Sequence, residues 1–309
     1  GSEMRNVESF TGALDAHINA ILGQVGKSNR KLKVALDSCN GAGSIIAPQL
    51  LEALGAEVVT VNTTPDGSFP RGAEPIAENL QQLCQLVKEN QADVGFAQDM
   101  DADRLAVVDE TGAPIGEDNT LVLATRYQLG KTPGPVVTNL STTSAMDDVA
   151  RMFDCPLHRS MIGEANVTEM MQAVGAIIGG EGNGGVIYPK INFCRDSHVG
   201  MAMILHLLAD TGCAVSQLLG DLPHYVMVKE KLPCPSDKIS EVLKMIRRDF
   251  ADHQLDLRDG VKVSFADGWL HVRGSNTEPI IRLVAEAANE LQARQILNLV
   301  FEKVERLLR

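Results

Sequence analysis

Nothing in this sequence is spaced for cysteine chemistry, and no apolar run reaches the roughly 20 residues that a spanning helix needs. Positive charge is also in short supply. The six cysteines, Cys39, Cys84, Cys155, Cys194, Cys213 and Cys234, form no CxxC pair. That argues against zinc ligation and a disulfide framework and points to reduced thiols in a cytoplasmic protein. Lys and Arg number 28 against 40 Asp and Glu, a formal net charge of −12, which argues against nucleic acid or a membrane surface as a general partner. Any anion the chain binds must be met by a local cluster of donors. The opening Gly1-Ser2-Glu3-Met4 reads as an added tail rather than a signal peptide and is set aside from fold reasoning. The 309 residues, 44% of them hydrophobic, suffice for two or three compact domains that each bury a core.

From Lys31 onward, short β-branched runs alternate with amphipathic stretches, the pattern of α/β layers. In a first block, residues 1–130, strands are expected at Val34–Asp37, Glu57–Val61, Asp93–Ala97 and Leu105–Val108. Helices are expected around Ile46–Leu54, Ile76–Glu89 and Asp118–Leu129. A second block, 131–222, has strands at Pro135–Thr138 and Ala176–Ile178, helices near Ala145–Phe153, Val167–Val174 and Gly200–Ala209, and a Gly-rich stretch from Gly179 to Gly185. A third, 223–309, has strands near Tyr225–Glu230, Val261–Phe265, Leu270–Val272 and Ile280–Ala285 with helices at Ser236–Phe250 and at the end. The expected fold class is α/β: two consecutive α/β/α sandwich domains, then a smaller α+β domain with an antiparallel sheet.

Three loops carry the chemistry. Asp99-Met100-Asp101-Ala102-Asp103-Arg104 puts carboxylates at alternate positions between two apolar runs, so that they can converge on a cation. Oxygen-only ligands suit Mg2+ or Ca2+. A solvated acidic turn is the bland alternative. Asp99, Asp101, Asp103 and Glu110 also match the first, third, fifth and last positions of an EF-hand loop, but Arg104 stands where that loop needs Gly and the flanks read as strands. An aspartyl-phosphate phosphatase is another reading of the DxD, although no supporting Lys or second acidic pair is evident; Asp147 and Asp148 sit on an expected helix, facing water. Arg104 adds a fixed cation beside the loop.

Arg273-Gly274-Ser275-Asn276-Thr277-Glu278-Pro279, between two expected strands, gathers a guanidinium, two hydroxyls, an amide and loop N–H groups. This suits a phosphate, with Arg282 on the next strand in reach. A polar turn is the alternative. Gly179-Gly180-Glu181-Gly182-Asn183-Gly184-Gly185 presents a carboxylate and an amide two residues apart, able to bridge sugar hydroxyls. It lacks the GxGxxG spacing of a dinucleotide site, and a structural turn is the simpler reading.

Taken in order, Asp66-Gly67-Ser68-Phe69-Pro70, DMDADR, GEGNGG and RGSNTEP resemble the α-D-phosphohexomutase family from about Lys31 to the carboxyl end, covering the second to fourth of its four domains. The resemblance implies Mg2+ on Asp99, Asp101 and Asp103, with Arg104 at the transferring phosphoryl group. It further implies Glu181 and Asn183 at sugar hydroxyls, and Arg273, Ser275, Asn276 and Thr277 at the substrate's other phosphate. Glu164, after Gly163 in Met161-Ile162-Gly163-Glu164-Ala165-Asn166, stands where other members place a polar sugar-facing residue. Arg195-Asp196 with GEGNGG looks most like the phosphoglucosamine and archaeal-type branch; helix-cap or surface charge is the competing reading for Glu164 and Arg195.

The implied reaction moves a phosphoryl group between C1 and C6 of a glucosamine, mannose or glucose phosphate through a phosphoserine. Two departures stand out. The common GExSGH has Asn183 for Ser and Gly185 for His, and no TASHNP-like loop occurs, since Ser141-Thr142-Thr143-Ser144 lacks the His, Asn and Pro. The family's first domain is therefore expected to be missing, leaving a shortened form that is inactive alone. A non-catalytic phosphosugar-binding protein is the competing class.

Overall fold

The computed structural model describes residues 11–275 and 278–308. Helix α1 (Ala13–Val25) leads into β1 (Lys33–Asp37), α2 (Ile46–Ala53), β2 (Glu57–Val61), α3 (Gln81–Asn90), β3 (Val94–Gln98) and β4 (Leu105–Val108). The sheet order is β2-β1-β3-β4, with β1 parallel to β2 and β3, and only β4 running antiparallel. Every residue of β3 and β4 is buried, because helices cover both faces: Leu83 and Val87 of α3 on one, Leu50 and Leu51 of α2 on the other. Strands buried on two sides need continuous apolar runs, which is what Val94–Ala97 and Leu105–Val108 supply.

The next stretch repeats the plan. Helix α4 (Asp118–Lys131) precedes β5 (Val136–Asn139), α5 (Ala145–Met152), β6 (Leu157–Ser160), α6 (Glu164–Val174), β7 (Ile178–Glu181) and β8 (Gly185–Ile187), then α7 (Ser197–Thr211) and α8 (Val215–Gly220). The order β6-β5-β7-β8, again with only the last strand antiparallel, matches the first sheet strand for strand. The β3–β4 and β7–β8 turns are thus topologically equivalent, and they are the acidic and Gly-rich loops. The Gly-rich stretch is no open loop: Gly179 and Gly180 belong to β7. A Cβ on Gly180 would lie 2.0 Å from the Gly185 carbonyl oxygen, so its missing side chain is what allows the hairpin to close.

The last part is all antiparallel: β9 (Val226–Pro233), α9 (Ser236–Asp249), β10 (Gln254–Asp256), β11 (Val261–Phe265), β12 (Gly268–Gly274), β13 (Ile280–Ala287) and α10 (Glu290–Leu308), in sheet order β10-β11-β12-β13-β9. It has its own core, from Val228 to Val304. The first two sheets do not follow the expectation of separate cores. One apolar cluster runs from Ile18 through Phe96, Leu121 and Met203 to Leu218. The cause is α7, buried without a break from Ser197 to Leu208 and packed against α1, α2 and α4. A helix apolar on all sides must be covered on all sides, and here both sheets' helices do so.

Candidate active site

Asp99 follows β3 and is fully buried. Ala102 takes a left-handed φ of 63° and turns the chain back, so that a carboxylate oxygen of each of Asp99, Asp101 and Asp103 lies within 4.8 Å of the others. Arg104 donates to both oxygens of Asp99, from its backbone N at 3.1 Å and its Nε at 2.6 Å, and its Nη1 lies 3.4 Å from Glu74. Burial and the neighbouring Asp99 carboxylate push the Asp103 carboxyl up to about 7, against the pull of Arg195. Asp103 is thus short of positive charge beside Asp99. Its donors are all oxygens, which suits a hard divalent cation such as Mg2+.

At the equivalent turn, Glu181 ends β7 almost fully buried. Its Oε1 accepts from Gly163 N and Asn139 Nδ2, both at 3.0 Å. Gly163, at φ 117°, N-caps α6 and makes Glu164 that helix's first residue. Asn183 spends its Oδ1 on the Gly185 amide at 3.2 Å, within the turn. Arg195 then joins the two loops: its guanidinium contacts Asp103, reaches Glu181 Oε2 at 3.1 Å, and sets Nε 3.1 Å from Glu164. From the other side, Ser197 Oγ donates to the Ala102 carbonyl at 2.6 Å. Acidic turn, hairpin turn and α6 N-terminus form one polar surface around a single guanidinium.

The carboxyl-terminal sheet brings cations to one face. Arg273 on β12 pairs with Arg282 on β13, which pairs with Lys231 on β9. Cross-strand partners point the same way, and like charges placed opposite destabilise a sheet. Such a row suits an anion, and Glu278, 3.0 Å from Arg282, offsets only part of its charge. Ser275 N closes the same turn on the Ile280 carbonyl at 2.9 Å. Asn276 and Thr277 lie outside the described residues.

Two residues before Arg273, His271 turns this sheet toward the second one. Its Nε2–H faces the Asp259 carbonyl at 2.6 Å, so its Nδ1 accepts from Ser141 Oγ at 2.7 Å. Asp259 in turn accepts from Ile162 N at 2.9 Å. Ser141 and Ile162 follow β5 and β6, beside Gly163 and Glu181. The arginine end of β12 therefore sits over the strand ends that carry the sugar-facing candidates.

Several supporting residues gave no signal in the sequence. Arg71, nearly fully buried, has Nε 2.9 Å from the equally buried Asp37 and donates to the Gln98 carbonyl, bracing the residue before Asp99. Arg159 donates to the Thr142 and Thr143 carbonyls at 2.7 and 3.2 Å and holds the Ser-Thr loop. Asp148 does not simply face water: it accepts from Tyr225 OH at 2.8 Å. Such residues act by where they stand, and isolated Arg or Asp letters cannot announce that.

Comparison with known proteins finds matches from residue 15 to residue 303. The family models for phosphoglucomutase/phosphomannomutase match in sequence: alpha/beta/alpha domain II at residues 15–112, alpha/beta/alpha domain III at 116–225 and the C-terminal domain at 227–303. A probable phosphoglucosamine mutase of Methanopyrus kandleri is 37% identical over 288 residues, 92% of this chain and 64% of that protein. A phosphoglucomutase/phosphomannomutase of Thermococcus kodakarensis is 37% identical over 310 residues, 99% of this chain and 68% of its own length. The chain thus spans about two thirds of these relatives. The crystal structure of a Burkholderia thailandensis phosphoglucomutase/phosphomannomutase family protein superposes with a TM-score of 0.83 at 29% identity, over 94% of this chain and 63% of that one. The chain belongs to the phosphoglucomutase/phosphomannomutase family.

Proposed function

We propose that these residues form the metal-, sugar- and phosphate-binding parts of a phosphohexomutase, which moves a phosphoryl group between C1 and C6 of a hexose phosphate, glucosamine phosphate before the mannose and glucose esters. The observation that carries this reading is Arg195, whose one guanidinium fastens the acidic turn to the hairpin turn and the α6 N-terminus. A cation site and a hydroxyl-binding site are thereby held side by side.

In this reading Asp99, Asp101 and Asp103 hold Mg2+, which supplies positive charge for a phosphoryl group in transit. Arg104, anchored on Asp99 and Glu74, adds a second fixed charge at the same edge. Glu181, Asn183 and Glu164 take sugar hydroxyls. Arg273, Ser275, Asn276, Thr277 and Arg282 grip the far phosphate, so that transfer proceeds by positioning and charge rather than by reactive side chains of this surface. The serine that carries the phosphoryl group is assigned to a segment outside these 309 residues, since none of their loops has the required His, Asn and Pro beside a Ser.

Calorimetry of glucosamine 6-phosphate binding, with and without Mg2+, tests the assignment. Affinity that rises with Mg2+ and falls with Asp101→Asn supports it. Binding indifferent to both, or phosphate release that survives Asp101→Asn but not Asp99→Asn, would replace it with a plain sugar-binding surface or a phosphatase.

A further inference from the structure

A second cluster of ligand atoms lies behind the first. His17 of α1 places Nε2 3.0 Å from Asp196 Oδ2, and His198, in the first turn of α7, places Nδ1 3.2 Å from Asp196 Oδ1. The three ligand atoms lie within 4.8 Å of one another. The imidazoles stand edge to face, 5.8 Å between centroids. Ligands about 2.0–2.2 Å from a shared metal ion are themselves separated by roughly 3–3.5 Å, and each imidazole already stands at that distance from one Asp196 oxygen, His17 from Oδ2 and His198 from Oδ1. His198 and Asp196 are buried while His17 is partly open to solvent, which leaves one side for water.

We propose that His17, Asp196 and His198 form a binding site for a divalent transition metal, Zn2+ or Co2+ in class rather than Mg2+. Two imidazoles and one carboxylate are nitrogen-rich donors that hard cations avoid. The site is preorganised. Asp196 caps α7 through the amides of His198 and Val199, at 2.9 and 3.4 Å, and Gln98 stands 3.3 Å from His198 Nε2.

That outer partner can serve either tautomer. Gln98 meets Ser38 Oγ at 2.8 Å on its oxygen and Ser197 Oγ at 2.7 Å on its nitrogen. With Nδ1 committed to metal, the amide turns over to accept from His198 Nε2–H, and the Ser197 hydroxyl gives up the Ala102 carbonyl to donate to the amide oxygen. A bound ion would staple α1 to the start of α7, one residue from Arg195, and give the acidic turn a fixed backing.

Co2+ is the probe, because imidazole-ligated Co2+ has visible absorption bands that oxygen-ligated Co2+ lacks in strength. Titration of the full chain carrying Asp99→Asn, Asp101→Asn and Asp103→Asn is expected to show one equivalent of Co2+ with those bands. His17→Gln, with folding verified by circular dichroism, is expected to weaken binding at least tenfold and bleach them. His198→Asn is the second variant, in case the first disturbs α1. No stoichiometric Co2+ in the acidic-loop variant, or binding unchanged by both histidine substitutions, would show that the cluster is a hydrogen-bonded clamp and no metal site.

Discussion

The Leu105 amide donates to the Gly184 carbonyl at 3.1 Å, tying the first residue of β4 to the turn before β8. Leu105 opens β4 and Gly184 directly precedes β8, the last strands of two sheets of identical order. The contact therefore joins the acidic and Gly-rich turns directly.

Gly184 is where this junction is least tolerant. Its φ is 86°, and a Cβ there would lie 2.3 Å from the Leu105 carbonyl oxygen. Gly184→Ala is expected to cost roughly 2–4 kcal/mol, strain and overlap together. Gly67→Ala, also at positive φ (70°) but with nothing within 4 Å, should cost only about 1 kcal/mol. Urea denaturation compares them, and calorimetry should find Mg2+ and phosphosugar affinity lowered together in the first variant alone. Equal losses in both would mean the hairpins are not mechanically joined.

What the sequence reveals about this region divides by physical cause. Strands β2, β4 and β11 lie where apolar, β-branched runs place them; β4, buried throughout, reads as an unbroken apolar run, and the half-exposed edge strand β2 is marked by its valines. The Gly-rich stretch is partly strand rather than loop, which its letters do not show, since a strand made of Ile178, Gly179, Gly180 and Glu181 has no alternation to read. Helix α6 starts at Glu164 rather than near Val167, because its cap is Gly163 in a left-handed turn rather than a Ser or Asp. The acidic loop was legible because carboxylates at alternate positions are rarely neutral decoration. The bracing of that loop by Arg71, and the hold of Arg195 on three carboxylates, depend on residues brought together from distant segments and leave no local trace.

Arg195 is the test of that bracing. It lies among Asp103, Glu164 and Glu181, and removing one partner of a part-buried ion cluster leaves the others uncompensated. Arg195→Gln is expected to destabilise the chain by on the order of 3 kcal/mol without Mg2+. Saturating Mg2+ should restore part of the loss, since it supplies the cation that Asp103 then lacks. Thermal melts of both proteins, with and without Mg2+, measure this; an identical Mg2+ shift in each would separate Arg195 from the acidic turn.

Arg273→Ala removes one end of the cationic row that continues through Arg282 and Lys231. Two outcomes of opposite sign are expected. Phosphosugar affinity should fall by roughly 1.5–3 kcal/mol, the worth of a charged hydrogen bond, while the unliganded protein should be unchanged or slightly more stable because the repulsion with Arg282 is relieved. Calorimetry and melting on one preparation give both numbers. Unchanged affinity would remove this loop from the phosphate site.

The contact between the second and third sheets holds a part-buried and a buried group, Asp118 and Lys262, that titrate in adjoining windows. Burial holds the Asp118 carboxyl up at about 7, opposed by Lys229, so the native chain keeps a proton that the unfolded chain releases near 4. Stability from Asp118 is full below that lower value and is lost as pH rises to 7. Burial lowers Lys262 to about 7, where its ammonium donates to the Leu140 carbonyl at 2.6 Å and stands 4.0 Å from the Trp269 ring centre. Between 7 and its ordinary value above 10 the unfolded chain binds the extra proton, so stability climbs again with pH. Denaturant unfolding across this range should fall and then rise, with Asp118→Asn reducing only the acid limb, which Asp103 shares, and Lys262→Met flattening only the alkaline one. Each group should contribute no more than about 5 kcal/mol to its limb, and a monotonic profile unaffected by either substitution would mean that neither group is held in the state described.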